Sequence, residues 1–177
     1  MIITSIEEQK KKGRFNIFLD GEFAFGLYKE TIYDFGLRVK DNLTEEKVRE
    51  LKSYDEINFG KKAAIRFLNY KQRTEKEVHD KLKGFKLSEE SIDKIMLFLK
   101  EFKFVNDENY AKLFVESKKV LRPEGRRSVR MRLAKKGINK ELSEISVSEN
   151  YTAEEELSKA KELYEKYRKK VRGKNEA

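Results

Sequence analysis

The chain has 177 residues, with 41 Lys and Arg against 32 Asp and Glu for a formal charge of +9, and it is 38% hydrophobic and 41% charged with no Cys. The missing cysteines exclude a disulfide framework, a thiolate zinc site and a cysteine nucleophile, which agrees with a reducing, cytoplasmic setting. The positive surplus favours nucleic acid, anionic lipid or an acidic protein surface as partner. The start Met1-Ile2-Ile3-Thr4-Ser5-Ile6-Glu7-Glu8 lacks the basic, then apolar pattern of a signal peptide, and no apolar run approaches a membrane span.

From Met1 to about Tyr28 the hydrophobic pattern has period two: Ile2, Thr4 and Ile6, then Phe15, Ile17 and Leu19, then Phe23, Phe25 and Leu27. This predicts a three-stranded antiparallel meander. Lys12-Gly13 supplies the first turn. Asp20-Gly21 supplies the second, because both central residues of a two-residue hairpin need positive φ. A thin sheet with a Phe-rich face needs a cover. The segment 29–51 is expected to provide it, with a short helix near Glu30 to Asp34 and another from Glu45, N-capped by Thr44.

After Ser53 the period becomes helical. Ile57, Ala64, Phe67 and Leu68 mark one helix. Thr74 and Glu77 form a capping box that opens a second, carrying Val78 and Leu82 and ended by Gly84. Ser88 caps a third, with a stripe of Ile92, Ile95, Met96, Leu99 and Phe102. The same events then recur. Asn106 caps a helix with Tyr110, Ala111, Phe114 and Val115. Pro123 and Glu124 introduce another with Val129 and Leu133, Gly137 closes it, and a third holds Leu142 and Ile145. A further copy opens on the capping box Thr152 and Glu155, with Ala160 and Leu163, and stops after one helix. Either this copy continues in residues outside the sequence or its helix projects as a charged arm. A period of about 48 residues, built from three short helices, implies stacked repeats that lend each other a buried face. The expected class is mainly α, tandem three-helix repeats with a small N-terminal β meander. The expected division is 1–53 for the meander and short helices, 54–105 and 106–150 for two repeats, and 151–177 for the first helix of an incomplete third.

Charge is concentrated in one place. Lys118, Lys119, Arg122, Arg126, Arg127, Arg130, Arg132, Lys135 and Lys136 face a single carboxylate, Glu124, giving +8 within 19 residues. On a helix starting near Glu124, Arg126 and Arg130 share a face with Arg127 beside them, and like charges at that spacing destabilise an isolated helix. A polyanionic partner would relieve the cost, although the plain alternative is a solvated face paired with the many Glu residues elsewhere. The dominance of Arg favours a binding surface, because guanidinium makes bidentate contacts with phosphate or carboxylate. The second basic tract, Lys166 to Lys174, reads as a solvated helix end.

Other apparent motifs carry no chemistry. Asp34-Phe35-Gly36 matches a kinase metal-binding triplet but lacks the accompanying loops, and reads as a turn. His79 is the only histidine and has no second imidazole for a metal. Asp107 and Glu108 are explained by the first turn of a helix. No P-loop or dinucleotide glycine pattern is present. No catalytic residue, metal or cofactor is therefore assigned.

The stretch Asn106-Asp107-Glu108-Asn109-Tyr110-Ala111-Lys112-Leu113-Phe114-Val115, followed by Gly125, Arg126 and Arg127 and then Leu133-Ala134-Lys135-Lys136-Gly137-Ile138, resembles the core signature of RecX proteins. Arg73-Thr74-Glu75-Lys76-Glu77-Val78 with Leu82 looks like that family's first-repeat motif. Leu19-Asp20-Gly21-Glu22-Phe23-Ala24 is similar to the N-terminal extension of many Gram-positive members. The resemblance covers nearly the whole chain and implies tandem three-helix repeats, usually three, that bind along the groove of a RecA–DNA filament. It also implies modulation, mostly inhibition, of RecA ATPase, strand exchange and coprotease activity, by a non-enzymatic protein expected to be a monomer. It makes Arg126, Arg127 and Arg130 the leading contact residues, with Lys135 and Lys136 next, and leaves single- or double-stranded DNA as a further partner. The alternative is a helical module that uses the same Arg residues directly on DNA phosphates.

Overall fold

The computed structural model describes the backbone of residues 1–10, 12–120 and 124–175, with side chains as far as residue 169. Among the described residues three strands, β1 (Ile3–Glu8), β2 (Arg14–Leu19) and β3 (Glu22–Tyr28), precede eight helices. These are α1 (Lys29–Asp34), α2 (Glu45–Tyr70), α3 (Glu75–Lys83), α4 (Glu89–Glu101), α5 (Asp107–Val120), α6 (Arg126–Lys135), α7 (Lys140–Asn150) and α8 (Ala153–Asn175). The chain is mainly helical with an antiparallel N-terminal sheet, the class its periodicities predict. It divides into two compact units, Met1–Arg66 with Leu82–Phe98, and Phe67–Lys81 with Leu99–Ala177.

In the first unit the sheet runs β1-β2-β3, and the β2–β3 turn places Asp20 at φ 51° and Gly21 at φ 93°, the paired positive φ that favours Asp-Gly. Two register shifts, between Ile3 and Ser5 and between Ile17 and Phe18, change the face that simple alternation assigns. A bulge adds one residue and inverts the side chains beyond it. Ile3 is therefore buried while Ile2 is exposed, and Phe23 turns outward, 60% exposed, edge-on to Phe18. The inner face of Ile3, Ile17, Leu19, Phe25 and Leu27 is covered by Leu37, Leu43 and Leu51, with Ile32 and Val48 alongside. Full burial of each large side chain is worth about 1.5–3 kcal/mol, which lets so small a sheet persist. Asp55 fastens the sheet end to its cover: its Oδ1 accepts from the Tyr28 N–H at 2.8 Å and the Thr31 hydroxyl at 2.6 Å.

Thr44 caps α2 by accepting the Lys47 N–H. The helix then runs unbroken through Ser53 to Tyr70, so the expected boundary at 53/54 falls inside a continuous helix. No Pro interrupts this stretch, and one Ser in a helix interior costs only a few tenths of a kcal/mol, about 0.5. Further along, Gly60 lets α4 approach closely; a Cβ there would lie 2.3 Å from Ile95 Cδ1. Ser88 caps α4 through the Ser91 N–H, and Glu56 accepts from both hydroxyls at 2.8 Å. α3 ends at Lys83, immediately before Gly84 as expected, and Lys86 takes the left-handed conformation in the turn that follows, at φ 59°. Phe102 also leaves the predicted stripe, since α4 ends at Glu101.

In the second unit α5, α6 and α7 enclose Ala111, Val115, Val129, Leu133, Ile138, Val147 and Tyr151. Tyr110 and Phe114 stack beside this core. Asn106 caps α5 and Asn139 caps α7, each accepting at 2.8 Å from the N–H three residues on, while Thr152 and Glu155 close a capping box on α8. Ile145 is exposed, contrary to the core role expected of it, because the buried side of α7 runs through Ser143, Ser146 and Val147.

Candidate functional site

The basic segment spans the end of α5, the whole of α6 and the turn after it. Val129 and Leu133 pin α6 to the core, and the helical period then dictates where each cation points. Arg126 and Arg130, one turn apart, flank the buried side and are half-buried. Arg127, Met131 and Lys135, again one turn apart, form the outward stripe, with Met131 56% exposed, and Arg132 lies exposed beside them. Arg122 lies outside the described residues, as does Pro123.

Much of the local charge is answered from within the chain. Glu124 receives Arg132 Nη1, the Ser128 hydroxyl at 3.1 Å and Lys118 Nζ at 3.5 Å. Burial works against its charge, but these three neighbours outweigh that and hold its carboxyl below the usual range. Lys119 donates to Glu155 at 2.8 Å and to the Asn150 carbonyl at 3.1 Å, and the Glu155 bond raises its pKa. Arg130 Nε lies 2.8 Å from Glu144 Oε2, as an ion pair without hydrogen-bond alignment. Arg127 and Lys135 form no ion pair among the described residues, so they and the outer end of Arg132 carry the field that faces solvent. The solvated, Glu-paired alternative thus describes Lys118, Lys119, Arg130, Lys136 and, through its Nη1, Arg132 better than it describes Arg127 and Lys135.

The ends of α6 are built by residues far away in sequence. Its N-cap is Gly125, with no side chain to offer and no acidic residue in the first turn. Glu156 of α8 fills that role by accepting the Arg126 N–H at 2.8 Å, a carboxylate at the positive end of the helix dipole. A Cβ on residue 125 would lie 2.9 Å from the same oxygen, so glycine leaves room for the carboxylate. At the other end Lys136 Nζ meets Glu77 Oε1 at 2.5 Å, and the Lys136 carbonyl accepts the buried Thr74 hydroxyl at 2.7 Å. Glu77 also closes the predicted capping box with Thr74. Burial opposes its charge, yet Lys136, the Thr74 N–H and Arg73 together hold its pKa below the ordinary 4.5. Asp107 accepts the Glu75 N–H at 2.8 Å and is shifted upward, chiefly by burial. Gly137, at φ 88°, passes so close to α3 that a Cβ would lie 2.5 Å from Lys76 Cβ. The two motifs read separately in the sequence, 73–78 and 133–138, are therefore in contact. Their meeting was hidden from sequence reading, as was the exposure of Met131, although the four-residue spacing of Arg127, Met131 and Lys135 was visible.

Fold and surface define a tandem three-helix repeat protein with a β-sheet extension and a cationic helix set on its second repeat. Family models match in three places: the regulatory protein RecX N-terminal domain at 1–44, the first three-helix domain of RecX at 61–99 and the second at 106–145. A regulatory protein RecX of Caldanaerobacter subterraneus is 37% identical over 94% of this chain and 84% of its own. One from Clostridium beijerinckii is 43% identical over 79% of this chain and 65% of its own, and one from Leuconostoc mesenteroides is 37% identical over 91% and 60%. The chain thus spans somewhat under two thirds of the length of those last two relatives. Among solved structures, a crystal structure of regulatory protein RecX matches with a TM-score of 0.70 at 28% identity, covering 97% of this chain and 84% of that one. RecX from Lactobacillus salivarius matches at 0.64 and 32% identity, covering 68% and 77%. The chain belongs to the RecX family of regulatory proteins.

Proposed function

We propose that this chain binds a RecA–DNA filament and modulates, mostly by inhibition, RecA's ATPase, strand exchange and coprotease activities, without catalysing a reaction of its own. Membership of a family named for regulation carries this reading, and the outward stripe of α6 supplies a suitable surface. Arg127, Lys135 and Arg132 are the contact residues we favour, since they are exposed, and Met131 gives them an apolar centre. Arg126, Arg130, Lys118, Lys119 and Lys136 support the helix from behind in this reading. RecA-dependent ATP hydrolysis and strand exchange, measured with and without stoichiometric protein, test it. Inhibition is expected, and Arg127→Ala with Lys135→Ala should weaken it about tenfold, as loss of a central cationic anchor does. Equal rates with and without the protein would overturn the proposal.

The local excess of nine cations over one carboxylate favours a second reading, direct contact of the same stripe with DNA phosphates. A filament groove presents protein and DNA together, so the two readings are compatible. DNA affinity that is absent at low salt would remove the second.

A further inference from the structure

Along α8, Leu157, Ala160, Tyr164 and Tyr167 follow one another at intervals of three, four and three residues, and Val171 continues the spacing in the sequence. This is the seam of a coiled coil, which keeps one line of apolar side chains on one side of a helix. Leu157, Tyr164 and Tyr167 are 57%, 64% and 63% exposed, and Ala160 is exposed between them. A line of large apolar side chains left in water marks an interaction surface. Charge on the same helix is segregated by end. Its first turn holds Glu154, Glu155 and Glu156, whereas Lys166, Arg168 and Lys169 are exposed two to three turns further on. Glu154 forms no ion pair among the described residues, and Arg168 meets only Glu165 of its own helix, at 3.1 Å.

We propose that this stripe seats a second copy of the chain, with the two α8 helices antiparallel. A helix that is acidic at one end and basic at the other complements its own copy only when that copy is reversed. A two-fold axis beside residue 162 sets Leu157 against the partner's Tyr167 and Ala160 against the partner's Tyr164, so the seam meets itself in register and every contact is made twice. On one edge of the stripe Glu154, Lys161 and Arg168 recur every seven residues. Glu154 then comes opposite the partner's Arg168, twice in the pair, and Lys161 opposite the partner's Lys161, once at the axis. Two attractive pairs outweigh one like pair. On the other edge the half-buried Leu163 meets the partner's Leu163. Reversal also sets the helix dipoles head to tail, whereas parallel copies would put acidic end beside acidic end and basic beside basic. The pairing departs from the monomer that the family resemblance implies, and it uses neither the α6 stripe nor RecA.

Sedimentation velocity of the full chain over a wide range of concentration tests the pairing. The sedimentation coefficient should rise from that of a monomer to that of a dimer and then stop, because a two-fold pairing closes on itself. Glu154→Lys and Arg168→Glu should each weaken association about tenfold, since each turns both attractive pairs repulsive. An equimolar mixture of the two variants should recover the dimer, because every such pair is opposite in sign again. Lys161→Gln removes the like pair and should tighten association, a change that damage to the fold does not produce. A chain that stays monomeric at every concentration would overturn the proposal, as would growth past the dimer, weaker association in Lys161→Gln or no recovery on mixing. A monomer whose Tyr164 and Tyr167 ring resonances shift on adding a single-stranded oligothymidylate would overturn it too and give the stripe to nucleic acid.

Discussion

Glu77 closes the capping box of α3, pairs with Lys136 and lies near Arg73, all through one carboxylate. Its pKa is lowered in the folded state, so the stability it contributes is fully present above the unfolded value near 4.5 and is lost as pH falls through the lower folded value. Urea unfolding of the wild type and Glu77→Gln should therefore differ most near neutrality and converge below about pH 4. A gap that stays constant with pH would show that the charge contributes nothing. Asp107 has the opposite sign: its raised pKa is a cost above that value which protonation relieves, so it partly masks the acid loss from Glu77. The capping role of Thr74 and Glu77 was legible because both residues lie within one helical turn. The pairing with Lys136 was not, since its partner is 59 residues away. The same holds for Glu155 on Lys119, 36 residues apart, and Glu156 on the Arg126 N–H, 30 apart. Each required knowing how the helices meet.

At the scale of elements, helix starts were the clearest signals, because a cap is a local side-chain chemistry. Thr44, Thr74, Ser88, Asn106 and Thr152, all named from the sequence, accept an N–H at the start of their helices, whereas the Asn139 cap of α7 was not singled out. Strand phase was less legible, since the bulges near Ile3 and Ile17 shift it without leaving a Gly or Pro to mark the place. The continuity of α2 through Ser53 was missed for the converse reason: a change of hydrophobic period was read as a break where the backbone has none. Which glycine bends the chain is also a matter of context, and Gly137 is the informative case. Gly137→Ala puts a Cβ at positive φ and 2.5 Å from Lys76 Cβ, so it combines about 1–2 kcal/mol of backbone strain with a steric clash. We expect a melting temperature several degrees lower, about 2–8 °C. An unchanged melting temperature would mean that α3 and the end of α6 can separate without cost.

For the molecule as a whole, net charge predicts little about where a polyanion binds, because neighbouring carboxylates answer most of the cations in the basic segment. The outward stripe is the part that should be felt in solution. If it contacts phosphates, the Arg127→Ala, Lys135→Ala double variant should make the log–log salt dependence of DNA binding shallower by about two, measured by fluorescence anisotropy between low and moderate salt. Lys136→Ala should leave that slope nearly unchanged and lower stability instead, since its ammonium is committed to Glu77. Equal slopes for wild type and the double variant would move the DNA contact off this stripe. The contact between residues 73–78 and 133–138 also bears on how such repeats can be recombined. Grafting α6 and its following turn from another member of the family would bring a foreign carbonyl and ammonium to Thr74 and Glu77. Chimeras that exchange one segment alone should thus fold poorly, and those that exchange both together should recover. On that outcome the piece that can be exchanged intact would be the paired seam rather than the single three-helix block.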